Sequence, residues 1–532
     1  MTNTLKYAGS APRRLNAALL AAFAVVLPVQ AATDISSQPL VLNVTAAPNV
    51  LMILDNSGSM ASETLPDDFY NSYSIDYALK PTSDNNEIVA DYDDLNIINL
   101  ATRSAWINRV YYDPTVTYKP WTKADGSAYD AASPTAAPAQ PGSSTLINLT
   151  SQITRSFKWR NNVTATTFAW NLSLSRPCRT TDRRGNVVEA DNCDLTFWPI
   201  TFFVHKGTGS IYSRANYYRY RIQGTTAYRK DLADGTEVTV TSFTWPNGLT
   251  RTVDQETQNF ANWFTYGRTR MNAAKGGVSS AFSTLGQNYR VGFRTINGTS
   301  GWLSIPTTGT FSDTNRTSFF DKLFAASASG LTPLRKSLLD AGEYFKTSAP
   351  WGPDVAGAPL GCRQAFTIMT TDGYYNSTSD SDITAINSAI GNADGGKGRP
   401  YADTYSLTLA DIAMHYYDTD LQTTIADKVP TSGEDPNNRQ HMNTFAVAFG
   451  LKGTLDPATD LPALTAGTKS WPNPTTNDTA KLDDLWHATV NGRGRFVSAA
   501  DPTEFANGLK AALDTIVART ASSSNLGVSS AQ

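Results

Sequence analysis

Charge is scarce in this sequence. Lysine, arginine, aspartate and glutamate make up 17% of the 532 residues and sum to a formal net charge of -3. That excludes the basic stripe with which a nucleic-acid binder tracks phosphates. Histidine is scarcer still. His205, His415, His441 and His487 are scattered without metal-ligand spacing, so ordinary surface or core roles are expected of them. No Gly-rich phosphate loop, nucleophile elbow or Cys–His pair stands out, and a non-catalytic protein is expected. Cysteine is limited to Cys178, Cys193 and Cys362. The first two flank a polar segment containing Arg184-Gly185-Asn186, which reads as a hairpin or loop whose ends a Cys178–Cys193 disulfide would tie. Cys362 is left over and reads as a buried, inert thiol.

Long apolar runs are also missing, with one exception at the start. Lys6, Arg13 and Arg14 precede the almost uncharged run Leu15 to Val29, and Val29-Gln30-Ala31 offers small residues for cleavage after Ala31. This is the pattern of a secretory signal peptide over residues 1–31. Export is therefore expected, in a compartment that permits disulfides. No later stretch reaches the roughly 20 apolar residues of a membrane span, so the mature chain is expected to carry no integral membrane segment.

What is present falls into two textures. Val50 to Leu54 is a short continuous apolar run closed by Asp55-Asn56-Ser57-Gly58-Ser59-Met60, as for a strand buried on both faces of a parallel sheet. From residue 61 to 255 that texture gives way. A helix is expected over Leu95 to Val110 and a linker or exposed loop over the Ala/Pro/Ser-rich Ala131 to Ser144. Short alternating or aromatic runs follow (Phe157 to Trp159, Phe168 to Leu174, Thr196 to Val204, Tyr217 to Ile222, Val238 to Phe243), and the whole reads as a β-rich insertion. From 256 to 520 the α/β texture returns. Phe260, Phe264, Met271, Ala274, Val278 and Phe282 fall on one face of a helix of about six turns. Strands are expected at Gln287 to Thr295, Trp302 to Ile305, Gln364 to Met369, Met442 to Phe449 and Gly494 to Val497. Helices are expected at Ser318 to Ala326, Leu334 to Phe345, Leu407 to Tyr417 and Pro502 to Val517. This alternation predicts an α/β fold with a doubly wound, mostly parallel sheet. The Ser-rich tail, 521–532, is expected to be disordered.

Three polar clusters lie where such a sheet presents ligands, outside the C-terminal ends of its strands. They are Asp55-Xaa-Ser57-Xaa-Ser59, Thr332 within Gly330-Leu331-Thr332-Pro333-Leu334, and Thr371-Asp372-Gly373. Each alone reads as a capping or turn motif. Taken together, Asp55, Ser57, Ser59, Thr332 and Asp372 form an all-oxygen donor set. Such a set suits a hard divalent cation, Mg²⁺ first with Mn²⁺ or Ca²⁺ as alternatives, and it argues against zinc or copper.

The three clusters resemble the metal-ion-dependent adhesion site of von Willebrand factor A domains. The resemblance implies Ser57, Ser59 and Thr332 as direct ligands, Asp55 and Asp372 as water-mediated ones, and an open position for an acidic group of a partner. Residues 32–60 would then open the A domain and 256–520 complete it. A second resemblance lies in Tyr111-Tyr112-Asp113-Pro114 followed by Tyr118-Lys119-Pro120-Trp121, in the stretch Glu256 to Arg270, and in Cys362-Arg363. These are similar to the PilY family of type IV pilus tip proteins, with Gly267 standing where an aromatic is expected. That family implies a role in pilus biogenesis and surface adhesion, with minor pilins, other tip proteins or a host or surface ligand as partners. It places the chain at the cell surface or pilus tip, outer-membrane associated or periplasmic in transit. Its C-terminal β-propeller has no counterpart here, which points to a fragment or a truncated relative. The competing readings are a secreted metal-dependent adhesin unrelated to pili and a metal-dependent hydrolase.

Overall fold

A computed structural model describes residues 46–65, 79–81, 91, 97–159, 179–189, 192–298, 302–353, 359–376 and 390–529. The expected signal segment and Cys178 lie outside them, as does the run Phe168 to Leu174. Cys193 sits in the strand Asn192–Phe197, so the expected disulfide is not addressed. Cys362 is a free, partly exposed thiol.

Five strands form one parallel sheet: β1 (Asn49–Leu54), β2 (Arg290–Thr295), β3 (Ala365–Thr371), β4 (Asn443–Phe449) and β5 (Arg493–Ala499). Their order is β2-β1-β3-β4-β5, and every neighbouring pair is parallel. Strand side chains alternate between faces, and both faces here are apolar. Val50, Met52 and Leu54 enter one core, while Leu51 and Ile53 enter another. The first core is closed by α2 (Arg270–Ser283), α3 (Asp313–Ala325) and α7 (Pro502–Ser529). The second is closed by α4 (Leu334–Phe345), α5 (Leu409–Asp418) and α6 (Asp478–Asn491). Among the described residues no helix is long and apolar enough to cross a membrane.

The remaining described residues between β1 and α1 (Val253–Tyr266) are rich in antiparallel strands. A four-stranded sheet runs Thr201–His205, Tyr217–Gln223, Thr226–Asp231, Glu237–Val240, joined in hairpin order. Its core gathers Tyr112, Trp121, Phe202, Phe243 and Trp245, together with Phe260, Trp263 and Phe264 of α1. The buried Glu256 carboxylate is the hub. It accepts from Tyr112 OH at 2.5 Å, Trp245 Nε1 at 3.2 Å and Arg251 Nη1 at 3.0 Å. Asn259 Nδ2 donates to Tyr112 OH at 2.8 Å, while Tyr118 N–H donates to Asn259 Oδ1 at 2.8 Å. The two aromatic signatures and the stretch from Glu256 therefore specify one another's packing.

Several expected elements differ. The helix expected through Phe260 and Phe282 is two helices, because α1 ends at Gly267 and Thr269 caps α2 by accepting from Asn272 N–H. The apolar spacing continues across this break and hides it. Trp302 to Ile305 is no strand: Leu303 makes only an isolated bridge to Phe293. The helix expected at Leu95 to Val110 covers only Ile97–Thr102. Ala131 to Ser144 is no loose linker, since Ala132 and Ala137 are buried and Ala137–Pro138 pairs with Leu146–Ile147. The tail does not stop being helical at Ala521, because α7 continues to Ser529. No proline interrupts that stretch, and serine is only a weak helix breaker.

Candidate metal centre

The path of the sheet sets the location. The chain goes from β1 to β2 on one side and then crosses to β3 on the other. The strand order therefore reverses at the β1/β3 edge, and open α/β sheets leave a crevice at the C-terminal end of such a point. Ile53 lies beside Met369 in register, so Asp55 and Asp372 leave the sheet side by side.

Asp55 is fully buried and acts as a clasp between the two loops. Its Oδ1 accepts from Ser57 N–H at 2.7 Å, and its Oδ2 accepts from Thr371 Oγ1 at 2.8 Å and Asp372 N–H at 3.2 Å. Burial, and then the charge of Asp372, pushes the Asp55 carboxyl up to about 7 against these hydrogen bonds. A single 3₁₀ turn, Gly58–Ala61, follows Ser57, whose side chain makes no capping bond. The turn brings the Ser57 and Ser59 hydroxyls 2.9 Å apart. Ser59 Oγ donates to Asp372 Oδ1 at 2.8 Å, and Ser57 Oγ lies 3.4 Å from the same oxygen.

Thr332 arrives on a third loop. Helix α4 begins after Pro333 with no side-chain cap, so the Thr332 hydroxyl is not engaged in capping. The loop is pinned from two sides. Thr332 N–H donates to Asn376 Oδ1 at 2.8 Å and Thr332 O accepts from Asn376 N–H at 3.1 Å. Gly58 N–H donates to Gly330 O at 3.0 Å. Gly330 itself has φ +85°, a left-handed conformation that glycine adopts without steric cost. Gly373 keeps the centre open: a Cβ there would stand 3.5 Å from Ser59 Oγ and 3.8 Å from Thr332 Oγ1. Leu331, 53% exposed, stands at the rim.

The structure thus brings Asp55, Ser57, Ser59 and Asp372 into direct hydrogen-bonding contact and sets Thr332 beside them. The donors are oxygen only, and the 2.9 Å between the two serine hydroxyls matches the roughly 3 Å between adjacent ligands around a cation with 2.1 Å bonds. One residue escaped sequence reasoning. Arg270, fully buried, donates from Nη1 to Asp372 Oδ2 at 2.9 Å and from Nε to Thr64 O at 2.6 Å. It fixes one oxygen of Asp372 and leaves Oδ1 toward the serines. Nothing in its spacing from Asp372 announces this, because 102 residues separate them.

No family model and no solved structure matches the chain. Curated relatives do. Type IV pilus biogenesis factor PilY1 of Pseudomonas aeruginosa strain PAK is 28% identical over 551 residues, covering 94% of this chain and 41% of the relative. The protein of the same name from strain UCBPP-PA14 is 28% identical over 535 residues, covering 94% of this chain and 40% of the relative. The chain is thus similar, over nearly all of its length, to proteins named type IV pilus biogenesis factor PilY1. It spans about two fifths of the length of these relatives. In this chain the stretch from Glu256 to Arg270 has a physical role at each end: Glu256 organises the insertion's core, and Arg270 grips Asp372.

Proposed function

We propose that this chain is a PilY-type protein, an exported, non-catalytic component of the type IV pilus machinery that serves pilus biogenesis and surface adhesion. In this reading its parallel sheet is a von Willebrand factor A-like domain holding one divalent cation, Mg²⁺ before Mn²⁺ or Ca²⁺. Ser57, Ser59 and Thr332 ligate it directly, with Asp55 and Asp372 acting through water. The observation that carries the reading is the convergence of the serine hydroxyls on Asp372 Oδ1 at the switch point of the sheet. The names of the relatives support the pilus assignment.

A bound cation would supply a Lewis-acidic seat for a carboxylate. The protein's own contribution is to hold the loops. Asp55 ties the β1 and β3 loops together, Asn376 positions Thr332, and Leu331 offers an apolar rim beside the acidic group of a minor pilin, another tip protein or a surface ligand. Because the Thr332 loop opens α4, partner binding and cation binding should strengthen each other by one common factor.

The test is a Thr332→Ala substitution in the full-length gene, with pilus number, exported protein and adhesion compared in one strain. Adhesion should fall more than export does. Adhesion and piliation both untouched, with cation binding lost, would remove the cation from the function.

A further inference from the structure

A second group of buried ionisable side chains lies where the loop 391–408 meets α6. Asp394 is fully buried, His487 of α6 is 1% exposed, and the Asp403 side chain is 6% exposed. One donor atom from each of the three lies within 4.8 Å of the others. Asp394 Oδ2 is 3.6 Å from His487 Nε2, and Asp403 Oδ2 is 3.5 Å from His487 Nδ1.

The group is built rather than incidental. Each aspartate has one oxygen fixed by the loop's own backbone: Asp403 N–H donates to Asp394 Oδ1 at 3.1 Å and Tyr405 N–H to Asp403 Oδ1 at 2.7 Å. The Oδ2 atoms are left toward the imidazole. That ring is held on its face by Trp471, stacked at 4.1 Å between centroids, while Trp471 Nε1 donates to Pro400 O at 2.7 Å. His487 Nε2 lies 2.6 Å from Tyr401 O. An N–H there, donating to the carbonyl, leaves the lone pair of the neutral ring on Nδ1. A carbonyl acceptor of this kind orients a metal-ligating histidine, here with Nδ1 toward Asp403 Oδ2 and with Asp394 Oδ2 on the Nε2 side of the ring.

Two further observations favour a cation ligand at this place. No lysine or arginine pairs with Asp394 or Asp403 among the described residues, so His487 is the one basic group against them. Asn491, also fully buried, donates from Nδ2 to Asp394 Oδ2 at 2.7 Å, yet its own Oδ1 has no hydrogen-bond partner among the described residues. Buried carboxylates that face no lysine or arginine and a buried amide oxygen without a donor are both costly, and a cation between the two aspartates and His487 would offset the first of these costs.

We propose that Asp394, Asp403 and His487 form a structural site for a borderline divalent ion, Zn²⁺ before Mn²⁺, with the Asn491 carbonyl oxygen or water completing the shell. The mixed nitrogen and oxygen donors separate it from the all-oxygen centre at Asp372, because imidazole suits zinc and similar ions. Its role is to pin the glycine-rich loop before α5 onto α6, so that a chelator loosens this side of the sheet. The site was invisible in the sequence because its members come from two segments, a loop holding Asp394 and Asp403 and a helix holding His487, far apart along the chain.

The test uses the chain purified after export without chelator, then stripped and titrated with Zn²⁺ and with Co²⁺. About one Zn²⁺ per chain is expected, together with a Co²⁺ visible spectrum of mixed nitrogen and oxygen coordination. Asp403→Asn and His487→Gln should each weaken Zn²⁺ binding at least tenfold, while Thr332→Ala, which alters the other centre, should leave it unchanged. Folded wild-type chain showing no Co²⁺ band of this kind, or Zn²⁺ affinity indifferent to both substitutions, would overturn the proposal. It would mark the cluster as an ion triad closed by protonated His487.

Discussion

Replacing Arg270 with methionine keeps an unbranched apolar stem and removes the guanidinium with its charge. In the native structure the guanidinium and the Asp372 carboxylate are both fully buried, 2.9 Å apart. Breaking one partner of such a pair costs about 3–5 kcal/mol, because the other charge is left without compensation. In chelator-treated buffer the Arg270→Met variant should therefore be less stable than the parent by an amount of that order. Added Mg²⁺ should reverse part of the loss. With both carboxylates ionised, the centre of Asp55, Asp372 and Arg270 carries a formal charge of about -1, and the variant about -2. Two unit charges about 6 Å apart in a medium of effective dielectric about 20 interact by about 3 kcal/mol. A gain of tenfold in cation affinity, about 1.4 kcal/mol, is thus a modest expectation. Thermal unfolding with chelator and with Mg²⁺, paired with calorimetric titration, reads both effects. A purely structural arginine would give weaker binding together with lower stability. A folded variant that binds Mg²⁺ no more tightly than the parent would refute the electrostatic reasoning.

Three other substitutions probe the fold that carries the centre. Glu256→Ala leaves Arg251 buried, 6% exposed at its side chain, without its carboxylate, and should cost about 3–5 kcal/mol. Tryptophan fluorescence during denaturation reports it, and a loss below about 1 kcal/mol would show that the hub is not a hub. Gly342→Ala places a Cβ 2.2 Å from the Tyr416 ring, so α4 and α5 must part, at a cost of about 1–3 kcal/mol; an unchanged denaturation midpoint would contradict that packing. Asp484 is buried where it accepts from the N–H groups of Leu409 and Ala410 at 2.9 and 3.0 Å, and burial raises its carboxyl from 3.8 to about 6. The folded state then binds the proton more tightly than the unfolded one, so this residue's contribution is fully present below the unfolded value and is lost as pH rises through about 6. Asp484→Asn should flatten the pH dependence of stability between those values, by about 3 kcal/mol in total; a slope equal to the parent's would be the contrary result.

Much of the sheet could be read from local pattern. Val50 to Leu54 is apolar at every position because both faces of β1 are covered. Leu334–Phe345 shows its helical period because only one side meets the core. The five oxygen donors were legible because each follows a strand or opens a helix, where ligands gather in this class of fold. What escaped depends on distance in sequence or on a short interruption. Gly267 to Thr269 breaks a continuous apolar stripe without disturbing its spacing. Arg270 is separated from Asp372 by the span that includes β2, α3 and α4, and no periodicity connects them. His487 looked solitary because its neighbours Asp394 and Asp403 come from a loop that lies far from it along the chain.

The central claim is that the loops after β1 and β3 and before α4 hold a divalent cation together. Ser59→Ala tests it most directly. Asp55 ties down three donors of two loops, so its loss would disturb the fold, whereas Ser59 is partly exposed and gives one hydroxyl to Asp372. Calorimetric titration of the folded, chelator-stripped chain with Mg²⁺ and Mn²⁺ should show one site in the parent and at least tenfold weaker binding in Ser59→Ala, with circular dichroism and melting otherwise matched. A parent chain that takes up neither ion, or a Ser59→Ala chain that binds them equally well, would contradict the account.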